Sequence, residues 1–194
     1  MHNQPLQSQV KSLESILGKS DVVQSVLDGA QQLDAPNWYL GAGCISQTVW
    51  NYLHGYDIES NIKDFDLVYC DASDLSYEAE DAIIKRAKEI FGDLNVEVRN
   101  QARVHLWLEK KFGQKTKPYL TTEEGINDWP TTATCVAVRK AEAELLVYAP
   151  YGLNDLFGMV LRPNKAVIQK ERYEHKAAKW TKLWPQLKVM GWDE

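Results

Sequence analysis

KDFDLVYCD, Lys63 to Asp71, decides how the rest of the chain is read. Phe65, Leu67, Val68 and Tyr69 are strand formers, whereas aspartate is depleted in strands. Side chains alternate along a strand. Asp64 and Asp66 therefore share one face, and Phe65, Leu67 and Tyr69 form the other, the expected core face. LNVEVRN, Leu94 to Asn100, follows the same rule, with Val96 and Val98 inward and Asn95, Glu97 and Arg99 outward. If the two strands are neighbours, Glu97 sits beside Asp64 and Asp66. Three carboxylates on one patch repel one another, which is tolerable when they share a cation. The same residues could also be solvated charges on an exposed sheet face.

Upstream, WYLGAG (Trp38 to Gly43) reads as a short strand running into a glycine turn, and CISQTVWNYLHG as a helix closed by Gly55. Gly41 and Gly43, flanking Ala42, let backbone approach a ligand closely. The helix N-terminus behind them offers free N–H groups and a positive dipole end to a phosphate. Ser46 and Gln47, in its first turn, can add side-chain bonds. An ordinary helix-opening turn without a ligand fits the same glycines. A dinucleotide-binding reading is disfavoured, because the third glycine is missing and the acids begin their strand rather than end it.

Oxygen-rich ligation by carboxylates and phosphates suits Mg²⁺, with Mn²⁺ as the alternative ion. Two such ions would stabilise the attacking and leaving oxygens of a phosphoryl or nucleotidyl transfer. Lys63 and Arg99 are candidate phosphate contacts, as is Arg103 beyond them. Arg99 can equally pair with Glu97. His105 lies at the edge of its helix's apolar side, and the sequence assigns no role to it or to Cys44.

The remaining chain is read as an α+β, mixed α/β domain over residues 1–194. Residues 1–36 hold two helices, the second capped by Ser20. The core, 37–112, includes helices from Tyr77 to Phe91 and from Gln101 to Phe112. The rest, 113–194, holds a loop to Pro130 with one helical turn near Glu123, a hairpin built from ATCVAVRK and LLVYAP, and a basic helix from Glu171 to Leu183. Thr131, Thr132 and Thr134 are read as the start of a strand. Trp180 and Trp184 fall on one face of the last helix, which predicts that it docks on the domain. Its basic residues, Lys170, Arg172, Lys176, Lys179 and Lys182, are assigned to its wet face.

The net charge of −5 argues against a protein that grips extended nucleic acid, which usually needs a basic face. Three widely spaced cysteines point away from a disulfide framework and toward a reducing cytoplasm. The polar N-terminus and the lack of a long apolar run predict neither a signal peptide nor a membrane span.

A glycine turn opening a helix, then D-x-D on a strand, then a lone acid on a later strand, resembles the DNA polymerase β-like nucleotidyltransferase superfamily. Ala42–Gln47 with Asp64–Asp66 also resembles the start of CCA-adding enzymes. WYLGAGC, DLSYEAEDA, VEVRNQARVHLW, WPTTATCVAVR and YAPYGLNDLFGMVLRPN are similar to a bacterial nucleotidyltransferase-like family. The resemblance implies metal-dependent transfer of a nucleotidyl group from an NTP to an acceptor, which it does not identify beyond a small molecule or a protein. It implies Asp64 and Asp66 as the metal pair, and Glu97 as the third acid and a proton acceptor. Gly41 and Gly43 would line the triphosphate. The stretch between Gly43 and Asp64 is longer than is usual in that superfamily. A non-catalytic nucleotide-binding module with the same fold is the alternative.

Overall fold

Strand β2 (Phe65–Tyr69) lies between β1 (Tyr39–Gly41) and β3 (Val96–Asn100). These coordinates are a computed structural model that describes residues 1–113, 115–141, 144–165 and 168–193. The sheet continues through β4 (Ala137–Ala141) to β5 (Glu144–Tyr148), in the order β3-β2-β1-β4-β5. Only the β2–β3 pair is parallel; β1–β2, β1–β4 and β4–β5 are antiparallel. A parallel neighbour needs a crossover, and helix α4 (Tyr77–Phe91) supplies it. Its N-cap is Ser76, whose side chain accepts from Ala79 N–H, and Gly92 closes it at φ 60°. The hairpin connection, residues 142–143, lies outside the described residues.

The expected core face is the observed one. Phe65, Leu67, Tyr69 and Val98 join the main apolar cluster, with Val96 packed against it. That cluster is completed by α1 (Leu6–Leu17), α2 (Asp21–Ala30) and α3 (Gly43–His54). Ser20 caps α2, accepting from Val23 N–H at 3.1 Å. On the other sheet face Val68 packs with Tyr39, Ile126 and Ala137 in a smaller cluster.

Several element boundaries differ from the expectation. The helix expected from Gln101 begins as a 3-10 turn, Gln101–Arg103, before α5 (Val104–Phe112). Asn100 accounts for the tight start, because its side chain accepts from Ala102 N–H at 3.1 Å. The loop before Pro130 contains α6 (Thr122–Asn127), capped by Thr121. Thr132–Thr134 form a 3-10 turn rather than the start of β4, tied by a 2.9 Å bond between the Thr131 and Thr134 hydroxyls. A short helix α7 (Asn154–Phe157) and a two-stranded parallel pair, β6 (Val160–Leu161) with β7 (Lys188–Val189), went unread in the sequence. Segments of two to four residues leave too little periodicity to detect.

The last helix, α8 (Lys170–Leu183), docks as its tryptophans predict. Trp180 and Trp184 are buried edge-on against Trp50, with ring centroids at 5.5 and 5.7 Å. Trp184 Nε1 donates to Asn51 Oδ1 at 2.8 Å. Trp184→Ala should therefore cost about 3–5 kcal/mol of stability in urea titration. Trp184→Phe, which keeps a ring but orphans the Asn51 oxygen, should cost about 1–3 kcal/mol. A loss below about 1 kcal/mol for the alanine variant would contradict this docking.

Candidate functional site

The site is built where β1 ends. Ala42 adopts φ 59°, ψ −128°, a conformation that costs an L-residue about 1–3 kcal/mol. It is held there by its N–H, which donates to Val136 O at 3.1 Å, and by its own carbonyl, which accepts from Ser46 Oγ at 3.1 Å. The turn brings Ala42, Gly43 and Gln47 to the wall of a cavity of about 600 Å³. No side chain caps α3, so its first N–H groups are left to other acceptors.

The acids line the same cavity. Asp66 and Glu97 are register partners across the parallel β2–β3 pair. Asp64 lies just ahead of β2, and all three carboxylates border the cavity. Burial pushes the Asp66 carboxyl up to about 6; the charges of Asp64 and Glu97 push the same way, and Lys176 and Arg99 oppose them. Arg99 Nη2 meets Glu97 Oε2 at 3.3 Å, both side chains being about half exposed. Such a pair is weak, which leaves the guanidinium able to exchange partners. Among the described residues no three His, Cys, Asp or Glu side chains form a ready metal cage. Mg²⁺ does not require one, since one or two carboxylates plus substrate phosphates suffice. Asp64 and Asp66, with Glu97 alongside, are the donor set that fits.

Lys63 also lines the cavity, with Asn61 from the long connection after α3. Three expected residues do not. Gly41 is a packing glycine: a Cβ there would come within 2.6 Å of the Trp129 ring and 2.7 Å of Ala137. Ser46 is fully buried and donates to Ala133 O at 2.9 Å, so it ties α3 to the turn before β4. Arg103 turns to the other side, where it forms a buried ion pair with Glu80 and donates to Leu75 O at 3.0 Å. A buried pair of this kind holds structure and is not available to a phosphate. Cys44 is buried and donates to Gly41 O at 3.0 Å; burial pushes its thiol pKa far up, which makes it inert. His105 lies outside the cavity wall.

The opposite wall was not read from the sequence. Arg172, His175, Lys176 and Lys179 of α8 line the cavity. Arg172 and Lys176 are half-buried there, which corrects their assignment to a wet face, while Lys179 lines the cavity and stays exposed. Lys170 remains outside, beside Asp193 at 3.7 Å. A usable signal existed: Arg172, Lys176 and Lys179 follow i, i+4, i+7 spacing, next to the inward stripe of Tyr173, Ala177 and Trp180. Trp129, Tyr119 and Asp128 complete the wall from α6 and its flanks.

The crowding of acids has a measurable cost. Asp66's folded pKa lies above its ordinary 3.8, so ionisation is disfavoured in the fold. The penalty is absent below about pH 4 and complete above about pH 6. In EDTA, Asp66→Asn should be more stable than the parent at pH 7.5 by about 1–2 kcal/mol, allowing for solvent screening. The difference should close toward pH 4. Equal stabilities at pH 7.5 in denaturant titrations would contradict this electrostatic account.

With this geometry in place, the chain can be set beside known proteins. No curated protein matches it. It is similar over 93% of its length, and over 95% of the other chain, to a protein whose NMR structure is described as revealing a CCA-adding enzyme head domain. The TM-score is 0.77 at 22% identity, which shows a shared fold. Residues 28–189 match the sequence profile of a nucleotidyltransferase family. That match covers both the strands that hold the acids and the helix that faces them, and the chain belongs to this nucleotidyltransferase family.

Proposed function

We propose that the protein transfers a nucleotidyl group from an NTP to an acceptor hydroxyl, in a reaction that depends on Mg²⁺ or Mn²⁺. One observation carries this reading: Asp64, Asp66 and Glu97 border the same cavity as the Ala42–Gly43 turn that opens α3. The triphosphate lies along that turn, where helix N–H groups and the dipole favour anions. Asp64 and Asp66 hold the metal, which, when bound, neutralises charge on the reacting phosphate and leaving group. Glu97, opposite Asp66 and partly exposed, accepts the proton of the attacking hydroxyl. The acceptor oxygen bonds to the α-phosphorus, the bond to the bridging oxygen breaks, and pyrophosphate leaves with that electron pair. A cavity of about 600 Å³ is of the size that encloses a small ligand such as a nucleotide, and the acceptor is a small molecule or a protein. No helix among the described residues is long and apolar enough to cross a membrane.

The reading is tested by incubating α-labelled NTPs with the protein and the small-molecule fraction of a cell extract. Label should move to an acceptor only with Mg²⁺ or Mn²⁺, and Asp66→Ala should reduce the rate by at least roughly 10²-fold. Labelling that persists in Asp66→Ala would remove the assigned site. NTP binding without transfer to any acceptor, and without dependence on Asp66, would favour a non-catalytic nucleotide-binding module.

A further inference from the structure

The acid face and the basic face of the cavity meet at one side chain. Lys176 lies near the middle of α8, with Nζ 4.5 Å from the centroid of the Trp180 ring. Trp180 is itself buried and braced edge-on by Trp50, so the ammonium is anchored by a cation–π contact to a fixed support. From that anchor it faces Asp66 and Asp64 across the cavity. Burial lowers its pKa, Asp66 and Asp64 act against this, and Arg172 and Lys179 repel it. Three cations of one helix stripe therefore converge on a cavity whose far wall holds three carboxylates. Cations gathered this closely beside a polyphosphate-sized cavity call for an anion, and carboxylates gathered this closely call for a cation.

We propose that Lys176 is a tethered counter-cation with two states. Without metal it neutralises Asp66 and Asp64. When a divalent metal takes the carboxylates, Lys176 turns with Arg172 and Lys179 to a polyphosphate, forming the subsite for the β- and γ-phosphates. The assignment rests on the nucleotidyl-transfer reading and deepens it. It makes α8 part of the nucleotide site, with two linked consequences. Removing the Lys176 charge weakens polyphosphate binding, and it also removes a competitor of the metal.

The test uses the full chain, with sodium tripolyphosphate in saturating Mg²⁺ as the anion probe in calorimetry, since the metal is what frees Lys176 from the carboxylates. Mn²⁺ alone, followed by electron spin resonance, is the metal probe. Lys176→Met should bind tripolyphosphate about tenfold more weakly than the parent, the loss of one charge-assisted hydrogen bond. Lys176→Arg should stay within about threefold of the parent. Lys182→Met, on the same helix but off the cavity wall, should match the parent and so controls for helix damage. Mn²⁺ alone should bind Lys176→Met about threefold or more tighter than the parent. Unchanged tripolyphosphate affinity in Lys176→Met, Mn²⁺ affinity that fails to rise, or no tripolyphosphate binding by the parent would each overturn the inference. Binding of Mg²⁺ with each of the four NTPs, measured alongside, separates the two claims. If the parent still binds an NTP in those cases, the proposed function stands without this subsite; if it binds none, both fall.

Discussion

The parallel pairing of β2 with β3 sets Asp66 directly opposite Glu97, and the rest of the structure is arranged around that juxtaposition. Burial, reinforced by the charges of Asp64 and the register-paired Glu97, pushes the Asp66 carboxyl up to about 6. The fold holds them in place from behind: Phe65, Leu67, Tyr69 and Val98 bury their side chains on the opposite sheet face. Because a one-residue slip would turn the apolar set outward, the core enforces the register that crowds the acids. The strained Ala42 turn fits the same pattern, being a local cost at the wall of the cavity sustained by hydrogen bonds with Val136, just before β4, and Ser46 of α3.

Compensating charge comes from α8. Its docking depends on apolar contacts remote from the chemistry: Trp180 and Trp184 against Trp50, and the Trp184–Asn51 hydrogen bond. Those contacts fix the helix so that Arg172, Lys176 and Lys179 line the same cavity as the carboxylates. A negative chain overall thus carries a local basic wall, which favours anions at that wall. Family membership and the shared head-domain fold agree with this layout.

What the sequence revealed was what depends on local periodicity. Asp64, Asp66 and Glu97 were readable because period-two alternation sorts strand faces, and Ser20 and Gly55 because caps are chosen within a few residues. What depends on tertiary partners was hidden. Arg103 resembles a phosphate ligand beside an acid until Glu80, 23 residues away in the chain, claims it. Gly41 resembles a phosphate-cradling glycine until the Trp129 ring is seen to occupy the space of its missing side chain. Lys176 sits beside the inward stripe of its helix, a local sign of contact, but that spacing does not say that Asp66 will be its partner.

The central claim is that the carboxylates of β2 and β3 and the cations of α8 close on a single metal–polyphosphate group. A crystal structure with Mn²⁺ and a non-hydrolysable NTP, using the anomalous signal to locate the metal, tests it most directly. The account predicts a Mn²⁺ peak coordinated by Asp64 and Asp66, with the phosphates between it and Lys176. A nucleotide bound elsewhere, or Mn²⁺ absent from Asp64 and Asp66 while the nucleotide is in place, would contradict it.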